Sequence, residues 1–384
     1  MIKYFHNGWV RAPKKTKTDM EEIHMKKSIA LLLATALVVA LFAGCTGTTV
    51  VIGECTCPCV TEGDNTPTEN TTETTTVTAS GTLKTGLAIL ADVSGSQNAG
   101  EKNGKAQFDV DLAAVLVDEN GVIVDCKLDS LGATLEFDGK GAITSDLTKA
   151  LQTKNELGDG YNMKLYAGSK YEWYEQAAAV AKYAIGKTAE QLKNGAVNEA
   201  GKASDADLAA VATITIGSYV DAIVAAAENA QALGAEAGDK LYLASNGSLG
   251  SSVSAGEKAG TAQLDLDVVA LTENGGTITS CTLDSLQGKV NFDTAGVITS
   301  DLTKAPQTKN QLGDSYNMKL YGNAKYEWYE QAASFCKYVT GKTADQVLGI
   351  AVNEATKPTE ADLTATVTIA IGGYQALIAK ALGK

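Results

Sequence analysis

The chain has 384 residues, 45 acidic against 32 basic side chains, and a formal net charge of −13. That balance argues against nucleic acid as a partner, because phosphate recognition draws on clustered Lys and Arg. Both histidines, His6 and His24, and the single arginine, Arg11, fall within the first 24 residues.

Met25-Lys26-Lys27 is a short basic segment, followed by an apolar run from Ile29 to Phe42 and then Ala43-Gly44-Cys45. A basic start, an apolar stretch too short to span a bilayer and small residues before a cut make a secretory signal. Leu41-Phe42-Ala43-Gly44-Cys45 resembles the lipobox of bacterial lipoproteins, which implies a lipidated Cys45 as the mature N-terminus. Cleavage without lipid is the alternative. Residues 1–44 are thus expected to be an over-extended start plus signal peptide, and the protein to sit outside the cytoplasm on the outer face of the cell membrane. Removing 1–44 takes away seven bases and three acids, leaving 25 lysines against 42 acids, a charge of −17. Such a chain has no His or Arg. It cannot use Ser-His-Asp or Cys-His catalysis, His-ligated metals or bidentate arginine clamps.

Residues 45–81 are expected to be a lipid-anchored disordered tether. The stretch 61–80 is rich in Thr, Glu and Asn and offers almost nothing to a core. Cys55, Cys57 and Cys59 lie just before it. Three cysteines without histidine or a second half fit local disulfides or free thiols better than a four-ligand metal site.

The rest of the chain is a repeat. From Cys126 onward two copies align at an offset of 155, so Cys126 matches Cys281 and Tyr161–Tyr166 matches Tyr316–Tyr321. Asp109-Val110-Asp111 matches Asp265-Leu266-Asp267 at an offset of 156. A period of this length is a whole domain, and the copies span 82–235 and 238–384. Within a copy, strands are predicted over 106–117, 122–128 and 133–137, with turns at 118–121 and Asp138-Gly139. A helix follows over 171–185, stopped by Gly186. Thr188-x-x-Gln191 caps a short helix, 211–216 is β-prone, and an Ala-rich helix covers 219–232. Strands gathered before helices predict an α+β fold: two tandem homologous domains, each an antiparallel meander packed with C-terminal helices. Cys126 and Cys281 read as small buried hydrophobes.

Three repeated segments carry the polar candidates. The first is the loop Lys154–Asp159 running into Tyr161–Lys164, with its twin at 309–319. The second holds Trp173 and Trp328, as ring-stacking residues or as core. In the third, Thr213 leads through Gly217-Ser218 into a helix, and Thr368 through Gly372-Gly373. Free N–H groups at such a helix start suit a phosphate.

Together, Lys-Asn-x-Leu-Gly-Asp-x-Tyr-Asn-Met-Lys, Glu-Trp-Tyr-Glu-Gln, Gly-Lys-Thr-Ala and the closing Asp–Thr–helix element resemble the FMN-binding domain family of bacterial surface lipoproteins and membrane flavoproteins. The resemblance covers most of both copies. It implies FMN as cofactor, with Thr213, Gly217, Ser218 and Trp173 in one copy and Thr368, Gly372, Gly373 and Trp328 in the other as its contacts. Some members attach FMN to a threonine in a motif like Asp-x-x-Ser/Thr-Gly-Ala-Thr. Asp207 precedes Thr213 by six, as does Asp362 Thr368, but Ala210 and Ala365 stand at the Ser/Thr position. Val211-Ala212 and Thr366-Val367 replace Gly-Ala. The expected function is an electron carrier in flavin-based extracellular electron transfer, with redox partners and the membrane, through Cys45, as its contacts. The alternative is a flavin-free ligand-binding or structural surface lipoprotein. Either fits a non-catalytic carrier or binding protein better than a hydrolase.

Overall fold

The computed structural model describes residues 81–384; the signal, Cys45, the Cys55–Cys59 cluster and the tether lie outside the described residues. The first repeat opens with β1 (Lys84–Asp92), β2 (Gly104–Val117) and β3 (Ile123–Phe137). The three form an antiparallel sheet in the order β1-β2-β3, with Asp109 opposite Gly132 and Asp111 opposite Ser130. The helices α1 (Lys154–Leu157), α2 (Met163–Ala167), α3 (Trp173–Ala184), α4 (Ala189–Gly195), α5 (Ala206–Val211) and α6 (Gly217–Glu228) follow.

The second repeat has the same plan. Its sheet is β4 (Lys240–Ser248), β5 (Gly260–Asn274) and β6 (Thr277–Phe292), in the order β4-β5-β6. Its helices are α7 (Lys309–Leu312), α8 (Met318–Tyr321), α9 (Trp328–Val339), α10 (Ala344–Leu348), α11 (Ala361–Thr364) and α12 (Gly372–Ala381). The fold is thus α+β with two similar tandem domains. Among the described residues no helix is long and apolar enough to cross a membrane.

Alternation along the strands makes both faces of each sheet apolar, so each sheet needs two covers. In β2, Ala113, Val115 and Val117 face the helices, with Trp173, Val180 and Ile223. Phe108, Val110, Leu112 and Ala114 face the other way and pack with Leu264, Leu266 and Val268 of β5. The second repeat buries Val269, Leu271 and Trp328 under its own helices. The layers therefore run helices, sheet, sheet, helices. Each repeat has its own sheet–helix core and shares a third core with its twin.

Two sequence expectations change. The strands expected at 122–128 and 133–137 are one continuous strand, β3, because Ser130 and Gly132 pair with β2 without a break. The β-prone stretch 211–216 is no strand. Asp205 caps α5 by accepting from the Leu208 N–H at 2.9 Å, and α5 runs to Val211. The Gln176 side chain then takes the N–H groups of Thr213 and Ile214, at 2.8 and 3.2 Å, where a neighbouring strand would have been needed. The Thr188–Gln191 capping box is present, and Cys126 and Cys281 are buried.

Candidate functional site

Asp109 and Asp111 lie on β2 four and two residues before Ala113, so they share its helix-facing side beyond the apolar core. Lys154, at the start of α1, reaches over this end of the sheet. Thr153 holds that start through a capping box with Glu156. The Lys154 ammonium lies 5.1 Å from the Trp173 ring centroid, 5.6 Å from Tyr161 and 5.8 Å from Tyr219. It donates to the Tyr219 hydroxyl at 3.3 Å, and Trp173 Nε1 donates to the same oxygen at 3.0 Å. Ring faces attract a cation through their quadrupole, so these groups hold one another in place.

The second repeat rebuilds the cluster. The Lys309 ammonium lies 4.9 Å from Trp328 and 5.3 Å from Tyr316, and Trp328 Nε1 donates to Tyr374 at 3.2 Å. Asp265 and Asp267 replace Asp109 and Asp111, and Ser285 donates to Asp267.

Burial sets the electrostatics. It pushes the Asp111 carboxyl up, while the Ser218 and Ser130 hydroxyls and Lys154 pull it back. Asp267 is raised by the same cause, with Ser285 and Lys309 opposing. Burial lowers Lys309, against Asp267, Asp265 and Asp284. Tyr219 is pushed up to about 12, by burial first and then by Asp111. A phenol in that range keeps its proton and serves as a hydrogen-bonding wall, not a base.

The sequence-predicted residues divide into two groups. Trp173, Gly217 and Ser218 belong to the cluster: Trp173 forms its buried wall, and Ser218 faces Asp111 at the start of α6. Trp328 is the corresponding wall in the second repeat, and Gly373 stands where Ser218 does. A side chain at Gly373 would meet open space, while one at Gly372 would come 2.9 Å from Thr356 Cβ. Thr213 and Thr368 are exposed, and their hydroxyls donate to Gln176 and Gln331 at 3.2 and 3.1 Å. The anion beside the α6 start is the protein's own Asp111.

Asp109, Asp111, Lys154, Tyr161 and Tyr219 come together only in the fold. The repeated polar loop signals Lys154 and Tyr161; for Asp109 and Asp111 the sequence signal is a pair of acids at alternate positions in an apolar strand, present in both copies.

The Glu-Trp-Tyr-Glu-Gln motif is largely scaffold. The buried Glu172 carboxylate accepts from Met163 N at 2.7 Å and Lys164 N at 3.1 Å, capping α2. Its own N–H donates to Glu175, which also pairs with Lys164 at 2.8 Å. Glu327 repeats this toward Met318 and Lys319. The capped helices carry outward Leu165 and Tyr166, and Leu320 and Tyr321, all at least 69 % exposed.

A groove of about 460 Å³ lies elsewhere, between β3 and β4 along one side of α3, lined by Cys126, Leu128, Tyr174, Ala181 and Leu243. It contains none of the sequence-predicted contacts. Among the described residues no three His, Cys, Asp or Glu side chains come together as a metal site. Comparison with protein-family models, curated proteins and solved structures gives no match.

Proposed function

We propose that this chain is an extracytoplasmic lipoprotein, held at the membrane through Cys45, whose FMN-binding-like domains carry flavin without a covalent link in extracellular electron transfer. The supporting observation is the cluster of Lys154, Tyr161, Trp173, Tyr219, Asp109 and Asp111. Aromatic walls suit a planar ring, a lysine supplies positive charge, and carboxylates accept from ring N–H groups. Tyr161 and Asp109 are exposed and Gly132 puts no side chain beside Asp109, so these two groups can meet a ring, while Trp173 and Tyr219, 2 % and 8 % exposed, back them from beneath. The bound isoalloxazine would supply the electron chemistry. The chain's own groups orient the ring and shield it.

A second reading has its own observation. Asp111 beside the α6 start, with Asp109 two residues away, disfavours a phosphate there and favours a flavin-free ligand-binding surface module. Titration of the purified protein with FMN, followed by tryptophan fluorescence, separates the two. Saturable quenching supports the flavin carrier. A flat titration with both FMN and riboflavin rejects it.

A further inference from the structure

On the floor strand the twin clusters differ at Gly132 against Gln287 and, next along the same face, at Thr134 against Lys289. Opposite Asp109 on the neighbouring strand stands Gly132; opposite Asp265 stands Gln287. The acid, its glutamine neighbour and the phenol are shared, while Ser218 becomes Gly373 and Thr134, which donates to Gln107 at 2.8 Å, becomes Lys289. Gln107 donates to Asp109 at 3.0 Å, as Gln263 does to Asp265 at 2.7 Å. Tyr161 and Tyr316 occupy corresponding places beside Lys154 and Lys309.

In the second repeat the Gln287 carboxamide fills the space between acid and phenol. Its Nε2 donates to Asp265 Oδ1 at 3.2 Å, and its Oε1 accepts from the Tyr316 hydroxyl at 2.9 Å. In the first repeat Gly132 puts no side chain there. A Cβ built on Gly132 meets only Asp109 Oδ1, at 3.8 Å. Asp109 and Tyr161 are exposed where Asp265 and Tyr316 are half-buried, and with glycine at 132 the Tyr161 hydroxyl has no counterpart of the Tyr316–Gln287 bond.

We propose that the first cleft receives a ligand through an amide or imide edge, and that Gln287 is the built-in occupant of the second cleft, which takes no ligand. The carboxamide shows what the acid–phenol pair accepts: an N–H directed at the carboxylate, next to a carbonyl directed at the hydroxyl. A carboxylate rejects a second acceptor, because two facing lone pairs leave both groups unpaired. The ligand edge is therefore donor and acceptor side by side, as in a primary carboxamide or a cyclic imide. The inference rests on the cleft reading above and deepens it, since the imide edge of a flavin is one member of that class.

The test uses the full chain, Gly132→Gln, Gln287→Gly and Gln287→Ala, each first checked for an unchanged circular dichroism spectrum. FMN is titrated into each with tryptophan fluorescence as readout. In parallel, nicotinamide binding is followed by saturation-transfer NMR, which registers weak binding. The expected result is one FMN per wild-type chain, none for Gly132→Gln, and two once Gln287 is removed. Two FMN per wild-type chain, or binding unchanged by Gly132→Gln, overturns the inference and leaves the flavin reading standing. If FMN binds none of the proteins, the flavin reading falls and nicotinamide decides. A wild-type signal lost in Gly132→Gln upholds the inference; no signal, or one that survives the substitution, overturns it.

Discussion

Phe137 and Phe292 lie face to face across the shared core, their ring centroids 4.0 Å apart and their planes 1° from parallel. They are the last residues of β3 and β6 and occupy the same position in the two repeats. Each ring covers a glycine, since a Cβ at Gly104 or Gly260 would come 2.4 Å from it. The contact ties the stability of one repeat to the other.

Phe292→Ala is expected to destabilise the whole protein by about 3–5 kcal/mol, the usual cost of emptying a buried aromatic site. Urea unfolding followed by tryptophan fluorescence and by circular dichroism should give one coincident transition before and after the substitution. Two separated transitions, with only the second repeat weakened, would contradict a shared core.

Glu172→Ala removes the acceptor for Met163 N and Lys164 N and leaves two partly buried donors unpaired, at about 1 kcal/mol. Hydrogen exchange should quicken over 162–168 and at the start of α3, while β2 and β3 keep their protection. Uniform loss of protection across the sheet would show that the motif is core rather than a local clamp.

Asp284 gives a pH signature. Burial pushes its carboxyl up to about 6 from 3.8, opposed by the Thr308 hydroxyl and the Asn310 N–H. The folded state thus binds this proton more tightly than the unfolded chain. The stability it contributes is full below about pH 4 and is lost as pH rises through 6. Relative to Asp284→Asn, the wild type should lose on the order of 2–3 kcal/mol across that window. Urea midpoints of both proteins at several pH values measure it; parallel curves would refute the assignment.

Cys281 and Cys336 face each other with their sulfurs 3.4 Å apart, both buried between β6 and α9. Refolding under oxidising conditions should join them, with loss of two hydrogens by intact mass and a gain of about 4 kcal/mol from closing the intervening loop. Cys336→Ala should remove the effect. Cys126 has Ala181 at the corresponding place and should remain a thiol.

The sequence by itself determined the repeat, the α+β order of elements, the Thr188–Gln191 helix cap and the acidic balance. These are local or periodic properties: a capping box needs four residues, and a duplication is visible wherever enough identical positions remain. The site was less legible. Asp109 and Asp111 served only to mark the register of the repeat, and Lys154 and Tyr161 appeared as part of a polar loop. The stretch 211–216 carries strand propensity, yet Gln176, distant in sequence, takes its N–H groups and leaves it a loop. The tertiary structure alone decided that the two sheets share a core, because an apolar sheet face does not state what covers it. It also decided that Gly132 and Gln287 matter. A glycine in one copy and a glutamine in the other are an ordinary divergence until β2–β3 pairing sets one beside Asp109 and β5–β6 pairing sets the other beside Asp265. Cross-strand register puts them there, and register depends on residues far apart in the chain.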